Sequence, residues 1–425
     1  MARATVRKEI DLVSPTRMRV MGILFLVAGA AIWGLFSRGT TGSTITTFVM
    51  APSGSETKLA DWKLPTLVVL NIFALVCAFL GGAQLARARG FGKRTNTVLA
   101  IIAGLFVFSF LVWAAANKSL NLAGLLNGTL QKAVPLTLGA LSGLLCERAG
   151  VVNIAIEGMM LGGAMVSTVV ASLTHSLWLG MLGGVLAGAL LAWVHGVLSI
   201  KYKINQIISG TVINIFSTGI TSFLSARFLQ THQELNNSGI FAPWPVPLLF
   251  KIPFIGPILF NHNVYVYAMY FFLIILQVAL FYTRWGLRLR SVGEHPKAAD
   301  TLGINVFKTR YMAVILGGMM AGFAGSYFTL GSVGRFDEVM TAGRGFISLA
   351  AMIFGNWMPF GSFGAGLLFG FADALASKIA ILGIKIPSDF LLMAPYIATM
   401  IVLAGVVGRG QMPAADGTPY EKESV

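Results

Sequence analysis

Charge is scarce in this chain. Of its 425 residues only 11% are Asp, Glu, Lys or Arg, less than half the roughly 25% usual in soluble domains. That deficit excludes an ordinary soluble protein. Cysteine is nearly absent as well. Cys77 and Cys146 lie in or at the ends of apolar runs, which suits small packed residues and leaves no disulfide, redox pair or metal-ligand spacing. The enzyme motifs are also missing. Gly90-Phe-Gly-Lys93 lacks the first glycine of a phosphate-binding loop and is followed by Arg94, and neither HExxH nor GxSxG occurs. The chain is therefore not expected to be an enzyme, to hydrolyse ATP itself, or to need a cofactor or metal. Its net charge of +15 has no basic face with interleaved aromatics in a soluble segment, so nucleic acid is excluded as a partner.

What is abundant is apolar sequence. Hydrophobic residues make up 56% of the chain and there are 49 glycines, which suit close helix–helix approach within a bilayer. The fold class expected is all-α, a polytopic integral membrane protein whose partner is the lipid bilayer. Apolar runs lie near 20–36, 64–86, 97–116, 122–146, 153–173, 177–200, 206–225, 263–283, 309–330, 345–357, 359–380 and 389–408. The run at 345–357 is too short to cross as a regular helix, which gives about 11–12 transmembrane helices, some short or interrupted. Pro135 is expected to interrupt the fourth run. Ala28-Gly29-Ala30 resembles a signal-peptidase site, but the run continues through Trp33 and Phe36, so an uncleaved first span is expected.

Lys and Arg orient the chain. With the N-terminus inside and 345–357 counted as a crossing, twenty fall on cytoplasmic segments, ten outside, and one, Lys132, in a span. This bias satisfies the positive-inside rule and places both termini in the cytoplasm.

The polar island Arg288–Val306 stands between two long apolar runs and falls on the cytoplasmic side. Glu294 and His295 precede Pro296, which belongs at the first position of a helix. Ala298 and Ala299 give a slim face, and Gly303 is placed to end the helix in a left-handed conformation. A helix over 296–302, roughly 10 Å long, fits a groove on a partner; a plain connecting turn is the alternative.

Two segments are broken within the membrane: Gly150–Ala164 and Gly343–Gly355, the second followed by Asn356, Pro359 and Gly361. Paired breaks in two halves of a transporter point to its translocation path. Glu157 is a carboxylate in an apolar stretch; it faces that path, or it makes a structural hydrogen bond or ion pair with Arg148 near the cytoplasmic surface. Asn153, Asn205, Gln206, Thr211 and Asn214 line a wet path or make interhelical hydrogen bonds. Phe216 and Phe346 offer stacking surfaces, while Lys132 and Asp373 are best explained by snorkelling or pairing. His175 and His195 have no ligand partner at helical spacing. The path candidates are thus Asn153, Glu157, Thr211, Asn214 and Phe346. Amides and hydroxyls outnumber charges among the polar groups considered, which suits a neutral polar solute.

The run Leu144-Leu-Cys-Glu-Arg-Ala-Gly-Val-Val-Asn-Ile-Ala-Ile-Glu-Gly-Met-Met-Leu161 resembles the signature of ABC-importer permeases for nucleosides and simple sugars, a group related to the branched-chain amino-acid permeases. Gly286–Val306 is similar to their coupling loop, and Gly343–Gly355 and Pro419-Tyr-Glu-Lys422 resemble the same family. The Glu-Arg-x-Gly-Val-Val-Asn-Ile form and the Pro-Tyr tail are most similar to the smaller permease subunit of purine-nucleoside importers. The resemblance covers about 120–425. It implies a permease domain over 119–408, a cytoplasmic coupling loop over 284–308 and a cytoplasmic tail over 409–425. Residues 1–118 are an extension with about three added spans. It also implies a bacterial or archaeal cell membrane, a related permease as heterodimer partner, a separate ABC ATPase and an extracytoplasmic substrate-binding lipoprotein. Glu294, Pro296, Ala298, Ala299 and Gly303 would then engage the ATPase. A pentose or branched amino acid as solute is the nearest alternative to a nucleoside; an ion-coupled carrier or channel is the alternative of another class. The proline-rich segment 226–262 is either a contact for the binding protein or a plain structured loop.

Overall fold

The computed structural model describes residues 14–52, 59–87, 90–384, 387, 389–390, 392–393, 396 and 412–422. Most of the run at 389–408, expected to be the last span, lies outside the described residues, as do the first 13 residues and 423–425. In a bilayer each backbone N–H and C=O must be satisfied within its own segment, so apolar runs become helices. Fourteen helices follow among the described residues: α1 Pro15–Ala31, α2 Thr66–Ala86, α3 Thr95–Ala114, α4 Leu122–Glu147, α5 Ile156–Thr174, α6 Leu177–Gly196, α7 Gln206–Leu224, α8 Ile255–Leu259, α9 Val264–Tyr282, α10 Arg284–Glu294, α11 Pro296–Thr301, α12 Val306–Phe328, α13 Arg344–Phe354 and α14 Pro359–Ile381. Nine described segments are long and apolar enough to cross a membrane. α4, at 26 residues and carrying Lys132, is long enough too, whereas the 11 residues of α13 span only about 16 Å.

The described residues group into two compact units. One is built from 1–125 and 376–390. Its α1 and α2 meet through glycine: a Cβ on Gly29 would lie 2.9 Å from the Ala74 carbonyl oxygen. Phe36 packs among Phe106, Phe110 and Trp113, with ring centroids 5.4–5.9 Å away. A small three-stranded sheet was not expected from the sequence. β1 Ile45–Val49 pairs antiparallel with β2 Trp62–Pro65 and parallel with β3 Ser119–Asn121. The Thr46 hydroxyl shares a hydrogen bond with Thr66 (2.9 Å) and donates to the Val112 carbonyl (2.7 Å), which ties the sheet to α2 and α3.

The second unit, 126–375 with the tail 412–422, is centred on α5, α6 and α12. Glycines let these three helices touch backbone to backbone. A Cβ on Gly188 would sit 2.7 Å from Gly322 Cα and would collide with the Gly318 carbonyl. Overfilling so tight a crossing costs about 1–3 kcal/mol. Gly188→Ala is therefore expected to lower the unfolding midpoint of the detergent-solubilised chain. Gly219→Ala, where a Cβ meets nothing within 4 Å, should be neutral or slightly stabilising, because alanine is the better helix former. Equal midpoints for the two variants would contradict this account.

Pro135 does not interrupt α4. The helix runs unbroken from Leu122 to Glu147, and the carbonyl that proline leaves without its helical donor, that of Gln131, accepts the Tyr327 hydroxyl at 2.9 Å.

Candidate functional site

The first break is the loop between α4 and α5, and its backbone is satisfied by side chains of α6 and α7. Gln206 Oε1 accepts the Val152 N–H (2.6 Å). The fully buried His195 imidazole bridges the Val152 carbonyl and Ser209 Oγ, both at 3.0 Å. A carbonyl can only accept, so Nε2 carries the proton and Nδ1 accepts from Ser209. Asn214 works in both directions: its Nδ2 donates to the Ile154 carbonyl (2.9 Å) and its Oδ1 accepts the Gly158 N–H (2.8 Å). Asn153, fully buried, folds back to accept the Ala155 N–H at 3.1 Å. Asn205 caps α7, accepting from Ile207 and Ile208.

Glu157, on the first turn of α5, reaches the second break. Its Oε1 accepts the Thr341 hydroxyl (2.5 Å) and the Gly343 N–H (2.8 Å), and its Oε2 accepts the Gly345 N–H (2.6 Å). These donors stand at the start of α13, where backbone N–H groups have no helical partner and the helix dipole favours a negative charge. The ion pair with Arg148, one form of the expected alternative, is not formed. Arg148 instead donates from Nε (3.0 Å) and Nη2 (2.6 Å) to the Trp357 carbonyl beyond the other end of α13. The Trp357 indole N–H in turn donates to Glu147 Oε2 at 2.6 Å. The short helix is thus held at its start by α5 and beyond its end by the end of α4.

Of the five path candidates, Asn153, Glu157 and Asn214 are buried and hydrogen-bonded within the protein, while Thr211 and Phe346 lie on exposed surfaces. Phe216 is exposed on α7. The pairing expected as one explanation of Lys132 and Asp373 is present, and Arg344 joins it. Lys132 Nζ lies 2.6 Å from Asp373 Oδ1 and Arg344 Nη2 3.6 Å from Asp373 Oδ2, each side chain about one-third exposed. The sequence signal was Lys132 and Asp373 on two apolar runs; Arg344, just before a third, gave none.

The polar island is two helices, α10 and α11, hinged at His295, with Pro296 opening α11 and Gly303 left-handed at φ +80°. Ala298 is exposed, as are Glu294 and Gly303, and Pro296 is half-buried. Ala299 faces inward onto Val292, Val306 and Tyr420. Tyr420 belongs to the chain's own tail, which straps the island down. Gly293 O accepts the Ala415 N–H (2.9 Å), Glu294 Oε2 accepts the Ala414 N–H (3.1 Å), and Arg310 Nη1 donates to Thr418 O (2.9 Å). The island also meets the first break, since a Cβ on Gly293 would collide with the Arg148 carbonyl. The tail had no visible role in the sequence beyond its Pro-Tyr pair.

Asp416 lies half-buried in this strap beside Glu147 and Arg310. Burial pushes its carboxyl from the usual 3.8 up to about 7, against opposing pulls from Glu147, the Gly417 N–H and Arg310. A raised carboxyl pKa means that the docked tail holds its proton more tightly than a free tail does. Docking is therefore strongest below about pH 4 and weakens as the pH rises toward about 7. Amide exchange over 414–420, corrected for intrinsic rates, is expected to be slower near about pH 5.5 than near about pH 8, with Asp416→Asn diminishing the difference. A pH-independent profile in the unsubstituted chain would refute it.

Residues 125–407 match the family described as branched-chain amino acid transport system / permease component. The chain is 39% identical over 303 residues to the guanosine ABC transporter permease protein NupQ of Bacillus subtilis, covering 69% of this chain and 95% of that one. It is 44% identical over 299 residues to the nucleoside ABC transporter permease protein NupC of Lactococcus lactis, covering 68% and 94%. A Haloferax volcanii permease named for glucose, TsgC13, is 38% identical over 257 residues, covering 60% and 77%. No solved structure matches the chain.

Proposed function

We propose, since the chain belongs to the family of branched-chain amino acid transport system permease components, that it is the nucleoside-conducting permease subunit of an ABC importer. The observation that carries this reading is similarity of 39% and 44% along almost the full length of two permeases named for guanosine and nucleosides. The geometry supports it. A slim helix, α11, stands exposed between α10 and α12, and α10 is braced through Gly293 against the break that leads into α5. A separate ATPase docking on α11 would move the island as a body and drive the broken segments with it. The partners are that ATPase, a second related permease and an extracytoplasmic binding lipoprotein, with both termini and the island in the cytoplasm of the bacterial or archaeal cell. Asn153, Glu157 and Asn214 act here by fixing the shape of the breaks, and the exposed Thr211, Phe216 and Phe346 are the surfaces left to meet solute or a partner subunit.

The test is uptake in vesicles carrying the assembled complex. Labelled guanosine should accumulate only with ATP inside, and excess unlabelled nucleoside should compete while ribose does not. Competition by ribose with nucleosides inert would make the solute a sugar. Accumulation by the single chain under an ion gradient would make it a carrier.

A further inference from the structure

Two hollows lie along the seam between α9–α10 and α12, and Trp285 lines both. The one beside the island has a volume of about 410 Å³ and is bordered by Arg288, Asn305, Lys308 and Thr309, with no carboxylate in its wall. The other, about 230 Å³, is walled by apolar side chains alone, among them Phe272, Ile275 and Leu316.

The two hollows share the Trp285 wall and follow one another along α12. On α12 their lining residues are Lys308, Thr309, Met312, Leu316, Met319, Met320 and Phe323. They fall at i, i+3 and i+4 spacings from one another and so form a single stripe down one helix face. From Met312 to Phe323 the stripe covers about 16 Å, close to the ~15 Å hydrocarbon depth of one leaflet. The basic residues stand at the end of the stripe where the membrane helices give way to the island. Arg288 and Lys308 are exposed, and neither pairs with a carboxylate among the described residues. An indole at the junction of a polar and an apolar compartment is the usual placement of Trp at a membrane interface. Cations at headgroup level above an acyl-width apolar crevice match one ligand in both charge and length.

We infer that this seam binds an anionic glycerophospholipid, with its phosphate against Arg288 and Lys308 and one acyl chain lying along Leu316, Met319 and Phe323. The Asn305 amide at the mouth adds a neutral donor for the glycerol or headgroup oxygens. Assigning the lipid to the cytoplasmic leaflet rests on the proposed orientation of the island; the site itself does not. A lipid there fills the seam between the helices that carry the island, so its headgroup charge bears on how firmly the island is seated.

The experiment uses the purified full chain, titrated in detergent with phosphatidylglycerol or phosphatidylcholine brominated on the acyl chains. Bromine quenches indole fluorescence on contact, and the Trp285 contribution is the difference between the unsubstituted chain and Trp285→Phe. Quenching of Trp285 should half-saturate at lower phosphatidylglycerol than phosphatidylcholine. The preference should fall about fivefold for each basic residue removed in Arg288→Gln and Lys308→Gln. Equal half-saturation by the two lipids in the unsubstituted chain would overturn the inference, as would quenching unchanged by Trp285→Phe. Neither ATPase nor nucleoside enters this measurement, so its failure and the failure of the transport reading are separate results.

Discussion

Glu157→Gln is expected to abolish transport and to destabilise the purified chain by about 3 kcal/mol or more. Three donors converge on this carboxylate, from Thr341, Gly343 and Gly345. Hydrogen bonds to a charged acceptor contribute about 1.5–3 kcal/mol each, and a buried donor left without an acceptor costs about 1–3 kcal/mol. Glutamine keeps one acceptor oxygen and places an NH₂ group where the other stood, so at least one N–H at the start of α13 faces another donor. Gly345 packs directly on α5, where a Cβ would come within 2.5 Å of the Glu157 backbone nitrogen. Glu234→Gln, at an exposed side chain, serves as the control that should leave stability unchanged. Thermal unfolding followed by tryptophan fluorescence separates the two roles open to Glu157. A stable Glu157→Gln chain with a raised KM would make the residue a solute contact and remove it as the strut of α13.

The same carboxylate shows what the sequence carries and what it does not. A charge in an apolar run announces that it is satisfied somewhere, and the run announces a helix. Neither announces a partner almost 190 positions away, as Gly345 is from Glu157. The long spans were legible because membrane length and hydropathy are local properties. The start and stop of α11 were legible because Pro296 and Gly303 act on their own backbone. The course of α4 through Pro135 was not, since it depends on a hydroxyl supplied by Tyr327 from another helix. The small sheet was missed for a related reason: strands of three to five residues lie in polar connections too short to show a period. Asn153 and Asn214 read more readily as structural hydrogen-bonding groups than as pore-lining ones, and the backbone they bind, at Ile154, Ala155 and Gly158, supports that reading. The charge cluster of Lys132, Arg344 and Asp373 and the tail's grip on α10 and α12 are likewise pairings that no local pattern encodes.

Ala298→Arg is expected to uncouple the assembled complex, leaving ATP hydrolysis running while nucleoside uptake falls to background. Ala298 and Ala299 are adjacent but do different things. Ala299 is buried against Val292, Val306 and Tyr420, so enlarging it pushes α11 off its own support. Ala298 is exposed on the same turn, about 100° round the helix, where a long charged side chain extends into solvent and obstructs a partner. Overpacking an interface costs about 1–3 kcal/mol, which corresponds to docking weaker by roughly fivefold to a hundredfold or more. For a contact made by a helix of six residues, that loss is enough to break the transmission of force. The two variants are told apart by stability and assembly together. Ala299→Arg should lower the unfolding midpoint of the isolated chain, whereas Ala298→Arg should leave that midpoint unchanged and reduce only co-purification with the ATPase and uptake. If Ala298→Arg chains assemble and transport at the unsubstituted rate, α11 is a connecting turn, and the force of ATP hydrolysis enters this subunit elsewhere.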